Sequence, residues 1–554
     1  MIARIGEVVT QPANFKEEFP QLFTGLGKLK TQYQIKLNPE VKPVCLYTPR
    51  RIPHALLSKV KTENDSMLQE GVISPVAVPT AWCSGIVPVP KANGQVRICV
   101  DLTPLNKAVK REVHPMSSVD ESLAMLGESG VFTKLDANSG FWQIPLDEDS
   151  KLLTTFITPF GRYCFNRLPF GISSAPEIFQ RTMSAILEGL DGVICRMDDI
   201  LIHGRSQMEH DVRVRAVLFR LQEAGLTLNE QKCEFSQGRI KFLGHIVDAE
   251  GVQADPDKTR AIAQFPVPSN TTQLQRFMGM VNQLGKFIPG LADLNEPLRQ
   301  LLRKDTTWYW GEAQQMAFQR LKEVLVSPEV LAHYDPSRPT FIAADASSTG
   351  LGAVLLQTQD NGQRRPICYI SRSLTDAEKN YAVIEKEALA SIWACERLEE
   401  YVLGLSFTLE TDHKPLVPLL TTTALPKMPP RILRFRLRMM RCNPEVLHVP
   451  GKRQISADAL SRALQASQKL QTSSLLKRLK PLLAVQWAAS QQAPNVCRRS
   501  EMPRKVMRNV HKSDDLVKKD GPCICHNSLY SVHTRNTEPT WQSLMTFSFM
   551  MSAL

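Results

Sequence analysis

Between residues 70 and 250, short apolar segments alternate with stretches that carry apolar residues at helical spacing. The apolar segments include VRICVDL, FTKLDAN, GVICRMDDILI and KFLGHIV, and each has the length of a buried strand. Strands that alternate with helices predict an α/β or α+β domain. In GVICRMDDILI two acids separate two apolar runs, which predicts a hairpin with both carboxylates at its tip.

The pattern becomes mostly helical between residues 255 and 335. QLQRFMGMVNQLGKFI and AQQMAFQRLKEVLV carry apolar residues three and four positions apart, which predicts two amphipathic helices. From residue 338 a second α/β unit is predicted, with the strands PTFIAAD, LGAVLLQ and FTLETD and one long helix, DAEKNYAVIEKEALASIWACERLEEYV. Residues 1–45 are predicted to form an extended lead-in.

An arginine-rich segment, RILRFRLRMMR, follows the second unit. Leu433, Phe435 and Leu437 alternate in it with arginines, which predicts a half-buried strand with a basic face. The arginines of this segment are Arg431, Arg434, Arg436, Arg438 and Arg441. A basic face of this kind is suited to nucleic-acid phosphates, although a solvated basic edge is the alternative interpretation.

The chain is basic, with 67 Lys and Arg against 55 Asp and Glu, which gives a net charge of +12. Residues 463–554 contain 13 basic and 5 acidic residues, a net of +8, so residues 1–462 contain 54 and 50, a net of +4. A basic surplus suggests an anionic partner, nucleic acid first. Most of the surplus lies in a C-terminal tail that is predicted to be poorly structured and to which we assign no chemistry.

Composition excludes several other classes of protein. A hydrophobic content of 43% with 22% charged residues excludes wholesale disorder. Apolar runs stay shorter than the ~20 residues of a membrane helix, and MIARIGEVVT lacks the apolar core of a secretory signal. The 12 cysteines lie far apart, which favours reduced thiols over disulfides. We therefore expect an intracellular location, and whether it is cytoplasmic or nuclear stays open.

Three acids of the first α/β region are candidates for a metal site. Asp198 and Asp199 lie at the predicted hairpin tip, and Asp136 ends the predicted strand VFTKLD. Adjacent acids between buried strands are costly unless a cation compensates them, and Mg²⁺ is the natural partner of carboxylates that also meet phosphates. Three carboxylates converging on two metals about 4 Å apart would stabilise in-line phosphoryl transfer. A lone Asp-Asp pair is more often a solvated turn.

The second α/β unit contains four comparable acids. Asp345 and Asp412 end predicted strands, Asp458 lies at the helical start SADALSR, and Glu387 lies in the middle of a helix. The face of Glu387 also carries residues that would let the helix approach the sheet: Val383, Ala390, Ser391 and Ala394. Glu387 is therefore expected to point inward and to need a partner. Four acids from different elements suggest a two-metal nuclease, although each acid alone is more often a surface residue.

Several motifs resemble those of reverse transcriptases in order and spacing. KLDANSGFWQIPL, NRLPFGISSAPEIFQRTM and RMDDILI resemble three central palm motifs, and FLGHIVDAEGVQADPDK and RFMGMVNQLGKFIPGLADLNEPLRQLL resemble adjoining segments of gypsy-type LTR retrotransposon Pol polyproteins. AADASSTGLGAVLLQ, EKEALASIWACERLEEYVLG, TDHKPLVPLL and HVPGKRQISADALSR resemble the ribonuclease H domain of the same polyproteins. The resemblance extends from about residue 45 to residue 462.

The resemblance implies a multidomain α/β and α+β protein, in which a right-hand polymerase with fingers, palm and thumb precedes a ribonuclease H-like α/β domain. After the lead-in, it implies fingers and palm over residues 46–255, a thumb-like helical region over 256–309, a ribonuclease H domain over 310–462, and the tail over 463–554. The implied function is that of an RNA-directed DNA polymerase that copies retroelement RNA. Its ribonuclease H activity would cleave the RNA strand of RNA–DNA hybrids by two-metal phosphoryl transfer.

The resemblance also implies roles for single residues. All seven acids would bind Mg²⁺ or Mn²⁺, two ions per active site: Asp136, Asp198 and Asp199 for polymerisation, and Asp345, Glu387, Asp412 and Asp458 for cleavage. Phe141 matches the aromatic residue that excludes ribonucleotides, and Phe170 and Gly171 would line the nucleotide pocket. Lys91 and Arg97 match residues that meet the incoming triphosphate. Core packing of Phe141 and a solvated hairpin around the two basic residues are the alternatives.

Two positions depart from the family pattern. Arg196 stands two positions before the Asp pair, where the family usually has an aromatic residue, and Thr103 stands where the family often has Arg. Near a primer terminus, Arg196 would still contact phosphate.

The expected partners are an RNA template, a DNA primer, RNA–DNA hybrids and dNTPs, without a membrane and with the oligomeric state left open. Two alternative functions also stay open. One is a non-catalytic nucleic-acid-binding relic of an element, and the other is ribonuclease H activity alone.

Overall fold

The computed structural model describes residues 14–91, 94–304, 306–326 and 330–450 of the chain. Predicted site residue Asp458 and the tail over residues 463–554 lie outside the described residues. Among the described helices, none is long and apolar enough to cross a membrane.

The N-terminal half folds into two sheets with helices packed against them. Its elements up to residue 186 are α1 (Phe15–Glu18), α2 (His54–Gln69), β1 (Ile73–Pro75), β2 (Ser84–Pro90), β3 (Val96–Val100), α3 (Thr103–Asn106), α4 (Val119–Ala124), β4 (Val131–Asp136), α5 (Glu148–Leu153), β5 (Phe156–Thr158), β6 (Gly161–Phe165) and α6 (Ala175–Ile186). The next are β7 (Val193–Arg196), β8 (Asp199–Gly204), α7 (Gln207–Ala224) and β9 (Glu234–Gln237). The N-terminal sheet has the order β1-β6-β5-β2-β3, and the central sheet has the order β7-β8-β4-β9.

A small sheet and a helical region follow the central sheet. Their elements are β10 (Arg239–Phe242), β11 (His245–Asp248), β12 (Gly251–Ala254), α8 (Pro256–Ala263), α9 (Thr271–Gln283), α10 (Leu291–Gln300) and α11 (Glu312–Val326). The three strands form an antiparallel meander, and the helices confirm the mostly helical pattern predicted for residues 255–335. Helix α10 continues through Pro297 and is amphipathic. Its residues Leu291 and Leu298 are buried, as is Leu301 directly after it.

The C-terminal sheet is mixed, with the order β15-β14-β13-β16-β17. The elements of this region are β13 (Thr340–Ala346), β14 (Gly350–Thr358), β15 (Arg364–Ser373), α12 (Asp376–Lys379), α13 (Val383–Arg397), α14 (Glu399–Val402), β16 (Phe407–Thr411), α15 (Leu416–Leu420), α16 (Pro430–Met439) and β17 (Glu445–His448). Strand β13 is antiparallel to β14 but parallel to β16, and α13 packs against it. This arrangement sets the ends of β13 and β16 side by side.

The hydrophobic core crosses two of the predicted domain limits. The lead-in contributes Phe15, Leu22 and Tyr33, which are buried in the same cluster as the N-terminal half. A second cluster joins the helical region to the C-terminal sheet, for example through Phe277 and Val354. The limits at residues 45 and 309 therefore do not coincide with gaps in the core.

Three predictions of secondary structure were wrong. The segment KFLGHIV, predicted as one strand, is a hairpin in which β10 and β11 pair on either side of Leu243 and Gly244. The long helix predicted over residues 376–402 is divided into α12, α13 and α14. The arginine-rich segment predicted as a strand is helix α16, which begins after Pro429 with Pro430 in its first turn. Its buried residues are Ile432, Phe435 and Met439, spaced three and four apart, whereas Leu437 is half exposed. The alternation of Leu and Arg was therefore incidental to a helical stripe. Strands β15 and β17 were not predicted.

Candidate active sites

The central sheet brings together the three acids predicted for the first site. Asp136 at the end of β4 lies directly opposite Asp199 at the start of β8. Asp199 also pairs with Arg196 across the β7–β8 hairpin, so Met197 and Asp198 form its two-residue turn. Met197 adopts a positive φ of 56°, a backbone conformation that a tight hairpin turn requires. The hairpin predicted from the apolar–acid–apolar pattern is present.

Asp198 is the acid of this group whose charge is least compensated. Burial raises the pKa of Asp198 to about 6, and the negative charges of Asp136 and Asp199 add to the shift. Its Oδ1 atom is buried without a hydrogen-bond partner in the described part of the chain. The two other acids have lysines: Lys232 Nζ lies 3.2 Å from Asp136 Oδ1, and Lys134 Nζ lies 3.0 Å from Asp199 Oδ1. A buried, unpartnered carboxylate oxygen fits a cation site.

Aromatic rings and a glycine lie next to the side chain of Asp198. Phe141 is buried, and its ring centroid lies 5.0 Å from that of Phe170 and 5.6 Å from that of Phe179. A Cβ atom on Gly140 would lie 2.6 Å from Asp198 Oδ1, so only glycine fits between the acid and the rings. The structure thus places Phe141 in the site, while its role in excluding ribonucleotides stays a prediction.

Four residues predicted to bind the nucleotide line one cavity of about 280 Å³: Lys91, Arg97, Phe170 and Gly171. The β2–β3 hairpin supplies the basic pair, and the Arg97 guanidinium lies 6.0 Å from the Phe170 ring centroid. Lys91 Nζ is 3.9 Å from Glu63 Oε1, too far for a strong hydrogen bond, so its charge is available to an anion. The cavity is therefore lined by two cationic side chains, an aromatic ring and a glycine.

The two residues that depart from the family pattern lie in different settings. Arg196 is half-buried at the end of β7, and its Nη1 atom has no partner among the described residues. Thr103 begins α3, and its backbone N–H donates to Asp101 Oδ1 at 3.3 Å. Asp101 also accepts a hydrogen bond from Arg50. The position of Arg196 next to the acid cluster is compatible with the predicted contact to a phosphate.

Gln180 of α6 holds the hairpin and was missed by the sequence analysis. Its Oε1 atom accepts from the Met197 N–H at 2.7 Å, and its Nε2 atom donates to the Cys195 carbonyl oxygen at 3.0 Å. The available signal was weak, because the polar residues Arg181 and Thr182 follow Gln180 and only its position beside Phe179 on the buried face of α6 distinguishes it. Such a residue needs an internal partner when buried.

Replacing Gln180 with Ala should reduce primer extension about tenfold while leaving hybrid cleavage unchanged, because the hairpin loses both anchors. Each buried backbone group left without a partner costs about 1–3 kcal/mol, which favours movement of the turn. Steady-state rates of both activities test this expectation. Ser184→Ala, which removes a hydroxyl 3.5 Å from Gln180 Nε2, is the matched control. Unchanged extension by the Gln180→Ala variant would contradict this role for the side chain.

The C-terminal sheet brings together three of the four acids predicted for the second site. Asp345 and Asp412 each lie two residues beyond Ala343 and Glu410, which are paired across the parallel strands β13 and β16. Glu387 of α13 completes the group, and one carboxylate oxygen from each acid lies within 4.8 Å of the others. Asp345 and Asp412 are exposed and Glu387 is buried. The fourth acid lies beyond the described residues.

Glu387 points inward because small residues let α13 approach the sheet. Ala390, Ser391 and Ala394 are buried as expected, but Val383, the first residue of α13, is 68% exposed and takes no part. Burial raises the pKa of Glu387 to about 8, and the charges of Asp345 and Asp412 contribute. Glu387 Oε2 is buried without a hydrogen-bond partner in the described residues. Here too, an unpartnered buried carboxylate oxygen fits a cation site.

The raised pKa of Glu387 predicts a pH-dependent stability in metal-free protein. Because its pKa is higher in the folded chain than its ordinary value of 4.5, folding favours the protonated form. The stability that this proton provides is lost as pH rises from about 5 to about 8. Wild-type protein in a chelator should therefore lose thermal stability relative to Glu387→Gln over this range. A stability difference that does not change with pH would contradict the expectation.

Three of the four predicted nucleic-acid-binding arginines on α16 have protein partners: Arg431 with Glu385, Arg438 with Glu396, and Arg436 with the carbonyl oxygens of Leu419, Thr421 and Thr423. Arg434 donates from Nε to the Pro430 carbonyl oxygen of its own helix at 3.3 Å and forms no ion pair with a described residue. Arg436 is thus a structural residue that anchors the loop before α16. Phosphate binding by this helix stays a prediction, for which Arg434 has the most accessible charge.

Comparisons with known proteins match the two regions of the chain that contain these acids. Residues 89–247 match the family model described as reverse transcriptase (RNA-dependent DNA polymerase), and residues 310–409 match the RNase H-like domain found in reverse transcriptase. The solved structure of a foamy viral protease-reverse transcriptase in complex with double-stranded DNA superposes with a TM-score of 0.69 at 21% identity, covering 78% of this chain and 77% of that chain. A complex of the foamy viral enzyme with an RNA/DNA hybrid gives a TM-score of 0.65 at 20% identity, covering 78% of this chain and 59% of that chain. The predicted fold class is confirmed.

Curated relatives are similar over most of the chain. The Retrovirus-related Pol polyprotein from transposon opus of Drosophila melanogaster is 36% identical over 466 residues, which cover 80% of this chain and 46% of the relative. The Transposon Tf2-3 polyprotein of Schizosaccharomyces pombe is 34% identical over 464 residues, which cover 83% and 34%. The chain thus spans less than half the length of these relatives. It contains a reverse transcriptase domain and a ribonuclease H-like domain and is homologous to Pol polyproteins of LTR retrotransposons.

Proposed function

We propose that this chain is an RNA-directed DNA polymerase with ribonuclease H activity. The observation that carries the proposal is a shared property of its two carboxylate clusters. Each cluster contains a buried oxygen without a partner in the described residues, Asp198 Oδ1 in one and Glu387 Oε2 in the other. Such atoms are costly in a folded protein unless a cation or another ligand satisfies them, which supports two metal-dependent sites.

In the polymerase site, the cavity lined by Lys91 and Arg97 would bind the triphosphate of a dNTP by charge-assisted hydrogen bonds. The exposed ring of Phe170 would pack against the nucleotide, and Phe141 behind it would limit the space beside the sugar. Asp136, Asp198 and Asp199 would hold the metal ions, which supply charge stabilisation at the reacting phosphate. Lys134 pairs with Asp199 and Lys232 pairs with Asp136, which holds these two acids in place.

In the nuclease site, Asp345, Glu387 and Asp412 would hold the metal ions, and Asp458 is proposed as their fourth partner. We propose Mg²⁺ or Mn²⁺, two per site, because a set made only of carboxylate oxygens suits hard cations. The rigid placement of Asp345 and Asp412 on adjacent strands would set the position of the scissile phosphate. Arg434 on α16 would contact the backbone of the hybrid.

The proposed partners are an RNA template, a DNA primer, RNA–DNA hybrids and dNTPs. Support for nucleic-acid partners comes from the foamy viral structures, whose complexes contain double-stranded DNA and an RNA/DNA hybrid. We also propose an intracellular site of action, on the basis of the reverse-transcription function itself. Cell fractionation of tagged protein tests the location.

Paired assays on one purified preparation test the function. Primer extension on poly(rA)·oligo(dT) with Mg²⁺ and dTTP should give polymerisation, and a labelled RNA–DNA hybrid should be cleaved in its RNA strand. Cleavage without extension would favour the ribonuclease H-only alternative, for which Arg196 beside the acid pair is the motivating observation. Binding without either activity would identify a non-catalytic relic and overturn the proposal.

A further inference from the structure

Helix α10 lies against the turn that follows Asp345 in the C-terminal sheet. The turn comprises residues 347–350 and connects β13 to β14. A Cβ atom on Gly350 would lie 2.8 Å from Ala292 Cβ, so the glycine allows the helix to approach this closely. The Ala292 N–H also donates to Ser371 Oγ at 2.8 Å. The first turn of α10 is thus fixed to the edge of the nuclease sheet.

Asp293 of α10 accepts two hydrogen bonds from this turn. Its Oδ1 atom accepts from Ser347 Oγ at 2.5 Å and from Thr349 Oγ1 at 2.6 Å. Hydroxyl-to-carboxylate bonds of this length are among the stronger hydrogen bonds in proteins. Ser347 Oγ in turn accepts from the Gly350 N–H at 2.8 Å. A single carboxylate oxygen therefore orients both hydroxyls and, through one of them, the backbone of the turn.

The turn is continuous with the residue that carries the proposed metal ligand. The Ala346 N–H donates to Asp345 Oδ1 at 2.9 Å, so the peptide entering the turn orients that carboxylate. The Ser347 N–H closes the turn by donating to the Gly350 carbonyl oxygen at 2.9 Å. A shift of the turn would therefore move the Ala346 peptide and, with it, the carboxylate of Asp345.

We propose that Asp293 is a positioning residue of the nuclease site, which orients Asp345 through the turn over residues 347–350. The inference rests on the proposed ribonuclease H function and adds a residue outside both family-model matches, which cover residues 89–247 and 310–409. Partners that orient metal ligands from outside the ligand set act in this way generally. Asp293 is provided by the helical region that precedes the nuclease domain.

The test compares Asp293→Ala with Asp293→Asn, which keeps an Oδ1 acceptor without the charge. Both are made in a chain that also carries Asp198→Asn and Asp199→Asn, so that the polymerase acids bind no metal. Calorimetric titration with Mg²⁺ should show a dissociation constant about tenfold higher for Asp293→Ala, the usual effect of removing such a partner. Asp293→Asn should stay within about twofold of the parent chain, since the acceptor geometry is retained.

Asp376→Ala is the matched control, because Asp376 is an exposed acid at the same junction, paired with Arg303 and Lys379, and does not contact the turn. It should leave Mg²⁺ affinity unchanged. An equal loss of affinity in Asp376→Ala, or a loss in Asp293→Asn as large as in Asp293→Ala, would overturn the proposal. So would parent-like affinity in Asp293→Ala.

Thr349→Val tests the contact between Thr349 and Asp293 without altering the acid. If Asp293→Ala does not fold, this second variant still tests the proposal. It removes one of the two hydroxyl donors and should raise the Mg²⁺ dissociation constant by a smaller factor, about threefold. Unchanged affinity in this variant would count against the proposal. In the background with intact polymerase acids, both variants should retain wild-type primer extension and cleave hybrids more slowly at limiting Mg²⁺, with a smaller effect for Thr349→Val than for Asp293→Ala. If the wild-type chain does not cleave hybrids, the proposed function fails, whereas the Mg²⁺ titrations still decide the role of Asp293.

Discussion

Replacement of both Asp198 and Asp199 with Asn should abolish Mg²⁺-dependent dNTP incorporation and leave hybrid cleavage at its wild-type rate. The variant removes the buried carboxylate at the hairpin turn and its neighbour opposite Asp136. Metal ions provide several kcal/mol of charge stabilisation in phosphoryl transfer, and each 1.36 kcal/mol changes the rate tenfold, so a loss of about 10³-fold or more is expected. Single-nucleotide incorporation at saturating dTTP measures it.

Stability is not expected to account for this loss. Asn has the shape of Asp, and removing charge from the buried position of Asp198 relieves the cost that raises its pKa to about 6. The thermal midpoint of metal-free protein should therefore stay the same or rise. Glu148→Gln, which removes an 88% exposed acid that pairs with Lys151 and lies outside both the acid cluster and the nucleotide cavity, is the control. Residual incorporation within tenfold of wild type would show that the polymerase assignment of these acids is wrong.

The converse variant, Asp345→Asn, should abolish cleavage of the RNA strand and preserve primer extension. Asp345 supplies an exposed oxygen within 4.8 Å of those of Glu387 and Asp412, and an amide binds a hard cation far more weakly than a carboxylate does. A decrease of about 10³-fold in cleavage rate is expected on the same reasoning as for the polymerase acids. Cleavage of a labelled hybrid under single-turnover conditions measures the chemical step.

Asp360→Asn is the control for charge, because Asp360 is 91% exposed in its side chain and pairs with Arg338 away from the acid cluster. It should cleave hybrids like the wild-type chain. Equal cleavage by Asp345→Asn and wild type would remove the acid cluster from the proposed mechanism. Reciprocal loss in the two catalytic variants would instead demonstrate two independent sites on one chain.

The positions of the acid clusters could be predicted because strand ends are visible in the sequence. Asp136 and Asp345 directly follow apolar residues of their predicted strands, and Asp198 and Asp199 separate two apolar runs. Asp412 ends the predicted strand FTLETD. Glu387 was predictable from the small residues on its helix face. Convergence of separate strands on one point came from the family resemblance, since periodicity alone does not specify strand order.

Other features depend on contacts that no local pattern encodes. The alternation in the arginine-rich segment matched a strand as well as a helix, and only the burial of Ile432 and Met439, in a helix that packs against α13, selects the helix. The contacts of Gln180 with the hairpin join residues far apart in the motif, and those of Asp293 join two predicted domains. The sequence does not indicate which residues these polar side chains contact. Their hydrogen-bond partners are known only from the structure.

The apolar core shared by the helical region and the C-terminal sheet has a consequence for processing of a polyprotein. Leu298 on α10 and Phe318 on α11 belong to the same buried cluster as Val354 and Leu356 of β14. A protease that cut the chain between α10 and α11 would break one peptide bond but leave this packing in place. The two products would stay associated, and separating them would expose apolar surface to water. The reverse transcriptase domain and the ribonuclease H-like domain are therefore expected to remain bound to each other in one complex, even after an internal cut.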